Sequence, residues 1–81
     1  MSGQFTIRCF LVSGENYDIR VTNNETISAL MEELSSMTGV PVENQMILLN
    51  GSLLDPSSTI ESCKIQPGDS IHLTINVVGG Y

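Results

Sequence analysis

The stretch DSIHLTINVVGGY, residues 69–81, closes the chain and sets its predicted fold. Apolar side chains recur at every second position from Ile71 to Val77, which indicates a strand with one buried and one wet face. A β-branched strand this late in a short chain needs a neighbour on each edge, so we expect it in the middle of a sheet. The domain is predicted over residues 1–78. Gly79 and Gly80 carry no side chains, so residues 79–81 are interpreted as a flexible diglycine tail, thin enough to enter a narrow channel.

Charge and composition disfavour several classes of partner. The 81 residues carry nine Asp and Glu against three Lys and Arg, a formal net charge of −6, which disfavours nucleic acid and anionic membrane surfaces. Hydrophobic residues make up 41% of the chain and charged residues 15%, so we expect one folded domain. No apolar run approaches the ~20 residues of a membrane span, and the N-terminus lacks the pattern of a signal peptide. Cys9 and Cys63 are predicted to be buried free thiols, with a disulfide as the alternative.

The first half of the chain predicts a hairpin followed by one helix. Alternating apolar residues over 5–12 and 17–22 indicate two strands joined by a short turn. Thr26, or an Asn just before it, caps the next segment, which has the apolar stripe of an amphipathic helix. Gly39 is expected to end that helix in the left-handed region. The stripe consists of Ile27, Leu30, Met31 and Leu34.

The second half predicts two short strands, at 45–49 and 52–54, joined by the hairpin signal Asn50-Gly51. Residues 59–63 are predicted as one helical turn, and a turn at 66–69 leads into the last strand. Because the sheet offers one apolar face to the helix, we expect a two-layer α+β fold. The first and last strands should pair in parallel at its centre, since the long connection between them carries the helix.

The order of elements and a set of landmark residues resemble the ubiquitin family over residues 5–80. The most specific landmark is Ile71-His72-Leu73 followed by the glycine pair Gly79-Gly80. The resemblance implies a ubiquitin-like β-grasp roll, in which a mixed sheet of four to five strands (ββαββ with a short helical turn) packs on one α-helix. The other landmarks are Thr26-Ile27, Gly39-Val40-Pro41, Gln45, Gly51, Leu54, Thr59-Ile60 and Ile65-Gln66.

The resemblance also assigns a role to the tail. The family joins its final glycine, through an activating enzyme, to a lysine of a target protein, which implies that Gly80 is the conjugated residue. Tyr81 follows it, so we expect a protease to cut after Gly80 in a precursor or in a fusion to a ribosomal protein. Such enzymes would recognise the tail residues Asn76, Val77 and Val78. Asn76 and Val78 stand where ubiquitin has two arginines, which removes charge-assisted contacts.

Strand parity and the resemblance together outline a partner-binding face. If the third strand lies beside the last, Leu48, His72 and Thr74 share the wet side of the sheet. Met46 has the same parity as Leu48, and Val12 lies at the first turn nearby. The family docks partner domains on this face. Scattered surface apolar residues, which need no functional explanation, are the alternative interpretation.

Several functions stay open at this point. A divergent ubiquitin-like modifier or precursor moiety is favoured, while a non-conjugated interaction domain of a larger protein and a diglycine sulfur carrier are alternatives. We expect no enzymatic activity and no cofactor, since no Ser-His-Asp arrangement is evident. We also expect no metal site, because His72 has no second ligand at suitable spacing. The expected partners of a monomer are activating, conjugating or processing enzymes and ubiquitin-like-binding domains. The expected compartment is the cytoplasm, with the nucleus as an alternative.

Overall fold

The computed structural model describes residues 3–75 of the chain. A mixed five-stranded sheet packs against one α-helix, which confirms the predicted α+β roll. In chain order the elements are β1 (Phe5–Leu11), β2 (Asn16–Val21), α1 (Ile27–Thr38), a 3-10 helix (Val42–Asn44), β3 (Gln45–Leu49), β4 (Ser52–Leu53) and β5 (Ser70–Ile75). Across the sheet the order is β2-β1-β5-β3-β4, so strands from the two ends of the described chain form its centre.

The central pair, β1 and β5, is parallel, as predicted from the long connection between the two strands. Cys9 lies opposite Ile71 and Phe10 lies opposite His72. The turn before β5 joins this pair, because the backbone N–H of Arg8 donates to the carbonyl of Asp69 at 3.0 Å. β3 pairs antiparallel with the other edge of β5, so β5 is hydrogen-bonded on both sides.

Local signals fix both ends of α1. The Thr26 hydroxyl accepts a hydrogen bond from the backbone N–H of Ala29 at 3.1 Å, which satisfies one of the free donors of the first turn. Gly39 adopts φ 81°, and its N–H donates to the carbonyl of Ser35 at 2.8 Å. The whole predicted stripe is buried between these caps. Its members are Ile27, Leu30, Met31 and Leu34.

A buried amide joins the end of α1 to the start of β3. Gln45 is 6% exposed, and its Nε2 donates to the carbonyls of Met31 at 2.8 Å and of Val40 at 3.0 Å. A buried carbonyl without a partner is costly, so this side chain anchors the segment that leaves the helix. The 3-10 helix before Gln45 is absent from the sequence prediction. It forms as the chain turns after Pro41, whose carbonyl accepts from the N–H of Asn44 at 2.9 Å.

The turns of the second half follow the sequence closely. Asn50 and Gly51 have φ values of 53° and 84°, as the predicted tight hairpin requires. The predicted helical turn is present as a hydrogen bond from the N–H of Cys63 to the carbonyl of Thr59 at 3.0 Å. Lys64 follows this turn in the left-handed region, with φ 60°.

Two predictions of burial need correction. The alternation predicts that Ile75 is buried with Ile71 and Leu73, yet it is 42% exposed. The pairing of β1 with β5 ends at Leu73, so Ile75 has a strand neighbour only on the β3 side. Cys63 is a free thiol but only half-buried, because it packs at the margin of the core. Within residues 3–75 no helix is long and apolar enough to cross a membrane.

The buried stripe of α1 predicts a large stability difference between core and surface leucines. Leu30 is fully buried, so Leu30→Ala should lower the free energy of unfolding by about 2–5 kcal/mol, measured by urea denaturation. Leu53 is 60% exposed and serves as the matched control, since Leu53→Thr should change that free energy by less than about 1 kcal/mol. Equal losses for the two variants would contradict this packing.

The two thiols should differ in reactivity. Cys9 is fully buried, and burial raises its pKa to about 11 although a hydrogen bond with the Leu73 backbone opposes the shift. The thiolate is the reactive form, so Cys9 should resist a disulfide reagent at pH 8 until the chain unfolds. Half-buried Cys63 should react in the native state, and Cys63→Ser should remove that phase. Native-state reaction of Cys9 at the rate of Cys63 would disagree with the core described.

Candidate protein-binding face

The side of the sheet turned away from the core is here called the outer face. Its strand positions alternate with buried Ile7, Cys9, Ile47, Ile71 and Leu73. By this parity the outer face consists of Asn16, Asp18 and Arg20 of β2, Thr6, Arg8 and Phe10 of β1, Ser70, His72 and Thr74 of β5, Met46 and Leu48 of β3, and Leu53 of β4.

Four of these residues form one line across the sheet, here called the cross-strand row. Phe10 lies opposite His72, His72 lies opposite Leu48, and Leu48 lies opposite Leu53. Directly opposed residues on neighbouring strands have side chains in contact range. The Phe10 and His72 rings stack with their centroids 5.6 Å apart and an interplanar angle of 28°.

The remaining residues of the predicted face lie beside the row, each two positions along the chain from one of its members. Met46 and Thr74 are directly opposed on β3 and β5. Val12 follows β1 in the turn to β2, where it is 75% exposed. The structure thus places four residues of the predicted face on adjacent strands: Met46, Leu48, His72 and Thr74. The partner-binding role of these residues stays a prediction.

Sequence reasoning misses two members of the row, Phe10 and Leu53. Residues near the end of β1 are apolar on both sides, so alternation alone does not show that Phe10 faces outward. β4 has two residues, too few to display a period of two. The signal that identifies both is pairing, because each lies opposite a residue already assigned to the outer face.

Charge on the outer face is confined to one side. The Arg8 Nε donates to the Asp18 carboxylate at 3.1 Å, with the two side chains 52% and 64% exposed. An exposed pair of this kind adds little to stability, but it offsets the charge of Arg8 locally. Arg20 lies beside this pair on β2. Within residues 3–75, the outer-face positions of β5, β3 and β4 hold no Asp, Glu, Lys or Arg.

The side chains whose pKa values are shifted lie off the outer face, and burial or local hydrogen bonds cause the shifts. Partial burial raises the pKa of Glu25, whose carboxylate accepts from the N–H of Thr22. Hydrogen bonds from Ser57, by its backbone and its hydroxyl, lower the pKa of Asp55. In the described part of the chain, no three His, Cys, Asp or Glu side chains gather as a metal site would require.

The resemblance implies roles for five residues of the tail. Gly79 and Gly80, predicted for conjugation and processing, lie outside the described residues. The same holds for the tail-recognition residues Asn76, Val77 and Val78.

Comparisons with known proteins agree with the fold. Residues 5–77 match the model of the Ubiquitin family. The chain is 30% identical over 69 residues to ubiquitin domain-containing protein DSK2 of Saccharomyces cerevisiae, covering 84% of this chain and 18% of that protein. It is 32% identical over 73 residues to human Ubiquitin D, covering 86% of this chain and 44% of that protein.

A solved structure supports the same fold. The ubiquitin of Caldiarchaeum subterraneum superposes with a TM-score of 0.86 at 25% identity, covering 96% of this chain and 100% of that one. The chain spans less than half the length of the two curated relatives named above. The family match confirms the resemblance read from the landmark residues, and this chain belongs to the Ubiquitin family.

Proposed function

We propose that this chain is a ubiquitin-like binding module that docks other proteins on its outer face. One observation carries the proposal: the side of the sheet that the helix leaves free has an uncharged, largely apolar centre. Leu48 and Met46 are only half-buried there, and Leu53 is 60% exposed. Apolar side chains that folding leaves in contact with water favour association with a second surface.

The outer face has an apolar centre and a polar border, as many protein interfaces do. The apolar centre on β5, β3 and β4 is bordered by polar Ser70 and Asn16 and by the Arg8–Asp18 pair. Interfaces commonly combine a desolvated centre with a polar rim, and an aromatic residue such as Phe10 is a common anchor in that centre. A rigid sheet that is hydrogen-bonded across the centre loses little conformational entropy on docking. The proposed role is therefore binding, without catalysis by this chain.

The central residue of the face gives the sharpest test. Proteins retained from a cytosolic extract by the 81-residue chain would be identified, produced in pure form and titrated against it. Leu48→Asp places an unpaired charge in the apolar centre, so we expect affinity for these partners to fall at least about tenfold.

Met37 provides a matched control. It is 41% exposed and lies on α1, so Met37→Asp introduces the same charge away from the outer face. This variant should keep its partners. Equal binding by wild type and Leu48→Asp, with both chains folded by circular dichroism, would refute docking on this face.

A second candidate function is single conjugation through Gly80, in a modifier or a precursor cut after that residue. Its support is the glycine pair Gly79-Gly80, which follows two residues after the family match ends at residue 77. The human relative carries the name Ubiquitin D. Ser52, Glu15 and Pro67 stand where ubiquitin bears chain-forming lysines, which favours attachment of one copy.

The tail is tested independently of the face. An N-terminally tagged chain incubated with cytosolic extract and ATP should lose Tyr81 and give adducts linked through Gly80, identified by mass spectrometry. Gly80→Ala should prevent both events, because the added methyl group would obstruct entry of the tail into a narrow enzyme channel. Met37→Asp, which lies on α1 away from the outer face, serves as the control. Equal processing of wild type and Gly80→Ala would exclude this second function.

A further inference from the structure

The two edge strands of the sheet differ in how well they are protected against pairing with another chain. β4 forms one edge and has only two residues, while β2 forms the other edge and has six. Natural edge strands are commonly shortened, bulged or marked by Pro or Lys, and each of these features hinders association. β2 pairs with β1 in an unbroken register without a bulge, and it contains neither Pro nor Lys. The β2 edge is therefore open to a further strand.

The hydrogen-bond pattern of the hairpin shows which backbone groups of β2 face this edge. The N–H of Leu11 donates to the carbonyl of Glu15 at 2.8 Å, so every second pair from there along the hairpin is hydrogen-bonded. The odd-numbered residues of β2 thus bond to β1. The N–H and C=O groups of Asp18 and Arg20 point away from β1, and within residues 3–75 no turn or loop supplies them with a hydrogen bond. These groups are available to a second strand.

The side chains at the same two positions carry opposite charges. Asp18 and Arg20 are both exposed on the outer face, two positions apart on β2. Asp18 accepts a hydrogen bond from Arg8, and this contact is the only ion pair among residues 3–75. Arg20 lies opposite uncharged Thr6, so its charge has no partner in that part of the chain. An edge with a carboxylate and a guanidinium so placed is self-complementary in an antiparallel pair.

Charge selects one register for two antiparallel β2 strands. Edge-facing residues must oppose one another, so symmetric registers differ by shifts of two residues. When Asp18 lies opposite Arg20 of a second copy, two-fold symmetry creates the same contact twice, and Ile19 meets Ile19 of the second copy at the centre. The neighbouring registers place Asp18 opposite Asp18, or Arg20 opposite Arg20, and like-charge repulsion disfavours both.

We propose that this chain forms a symmetric dimer in which the β2 strands of two copies pair antiparallel, with Asp18 of each copy opposite Arg20 of the other. Each Asp18 carboxylate then lies between Arg8 of its own chain and Arg20 of the second copy. On the core side Tyr17 lies opposite Val21 of the second copy, and an aromatic residue opposite a β-branched one stabilises a sheet. The interface is one strand wide, so the dimer is weak and its population depends on protein concentration.

The dimer presents two outer faces together. Because opposed residues of paired strands share one face of a sheet, the two-fold axis runs perpendicular to it and both outer faces lie on the same side. A target with two binding segments can then contact both copies, and the second contact forms at a raised effective concentration. The dimer itself does not rest on the proposed docking function, since it needs no other protein.

Charge exchange tests the dimer by sedimentation velocity of the 81-residue chain between about 0.05 and 1 mM. The wild-type chain should shift from monomer toward dimer as its concentration rises. Arg20→Asp should raise the dissociation constant at least about tenfold, because it sets two carboxylates against each other at both contacts. Adding Asp18→Arg to the same chain should restore the dissociation constant to within about threefold of wild type, since opposite charges face each other again.

Two further variants control for net charge and for the outer face. Lys64→Asp changes the net charge as much as Arg20→Asp does but lies after the helical turn, so the dimer should persist. Leu48→Asp should also keep the dimer, and its loss there would place the contact on the outer face and overturn the β2 pairing. The proposal would equally be overturned by a wild-type chain that is monomeric at about 1 mM. A dimer that Arg20→Asp leaves intact, or a double variant that is folded by circular dichroism and monomeric, would overturn it too.

A disulfide between the copies tests the register without relying on charge. Chains with Asp18→Cys and chains with Arg20→Cys would be mixed and oxidised, both with Cys63→Ser to remove the half-buried thiol. The Cα atoms of directly opposed hydrogen-bonded residues lie ~5.5 Å apart, within the range of a disulfide. The mixture should therefore give at least about fivefold more cross-linked dimer than either variant alone. Equal or absent yields would overturn the register.

Discussion

The parallel pairing of β1 with β5 is the constraint on which the rest of this structure depends. It places Cys9 beside Ile71 in the core and Phe10 beside His72 on the outer face. Because side chains alternate along a strand, a slip of one residue would exchange core and surface along the whole pair. The two strands come from opposite ends of the described chain, so their contact also closes the connection that carries α1 across the sheet.

Because α1 packs on one side of the sheet only, the two sides differ in how much apolar surface they expose. On one side α1 completes a core that has thirteen buried hydrophobic residues within positions 3–75, and the amide of Gln45 donates to the carbonyls where the chain leaves the helix. On the other side nothing in the described chain covers the row from Phe10 to Leu53. Folding therefore leaves apolar surface in water, on a scaffold made rigid by the core behind it. Stability and the proposed binding thus depend on alternate residues of the same strands.

Much of the fold could be predicted because its signals are local or periodic. Gly39 and Asn50-Gly51 occupy left-handed backbone that few other residues adopt, and parity predicts that Leu48 and His72 share a face. What escapes the sequence depends on distant neighbours. The outward direction of Phe10 follows from its partner on β5, and the exposure of Ile75 follows from where the β1 pairing stops. Sequence therefore predicts the centre of the cross-strand row, Leu48 and His72, and misses its ends, Phe10 and Leu53.

The register of the central strands can be measured directly. Nuclear Overhauser contacts in the folded chain should connect the Phe10 ring with the His72 imidazole, and the His72 imidazole with the Leu48 methyl groups, as the 5.6 Å stacking and the strand pairing require. The Ile71 methyl groups should contact α1 and show no contact with the Phe10 ring. Contacts of the Phe10 ring with Ile71 or with α1 would mean a different register, and would contradict both the core and the outer face described.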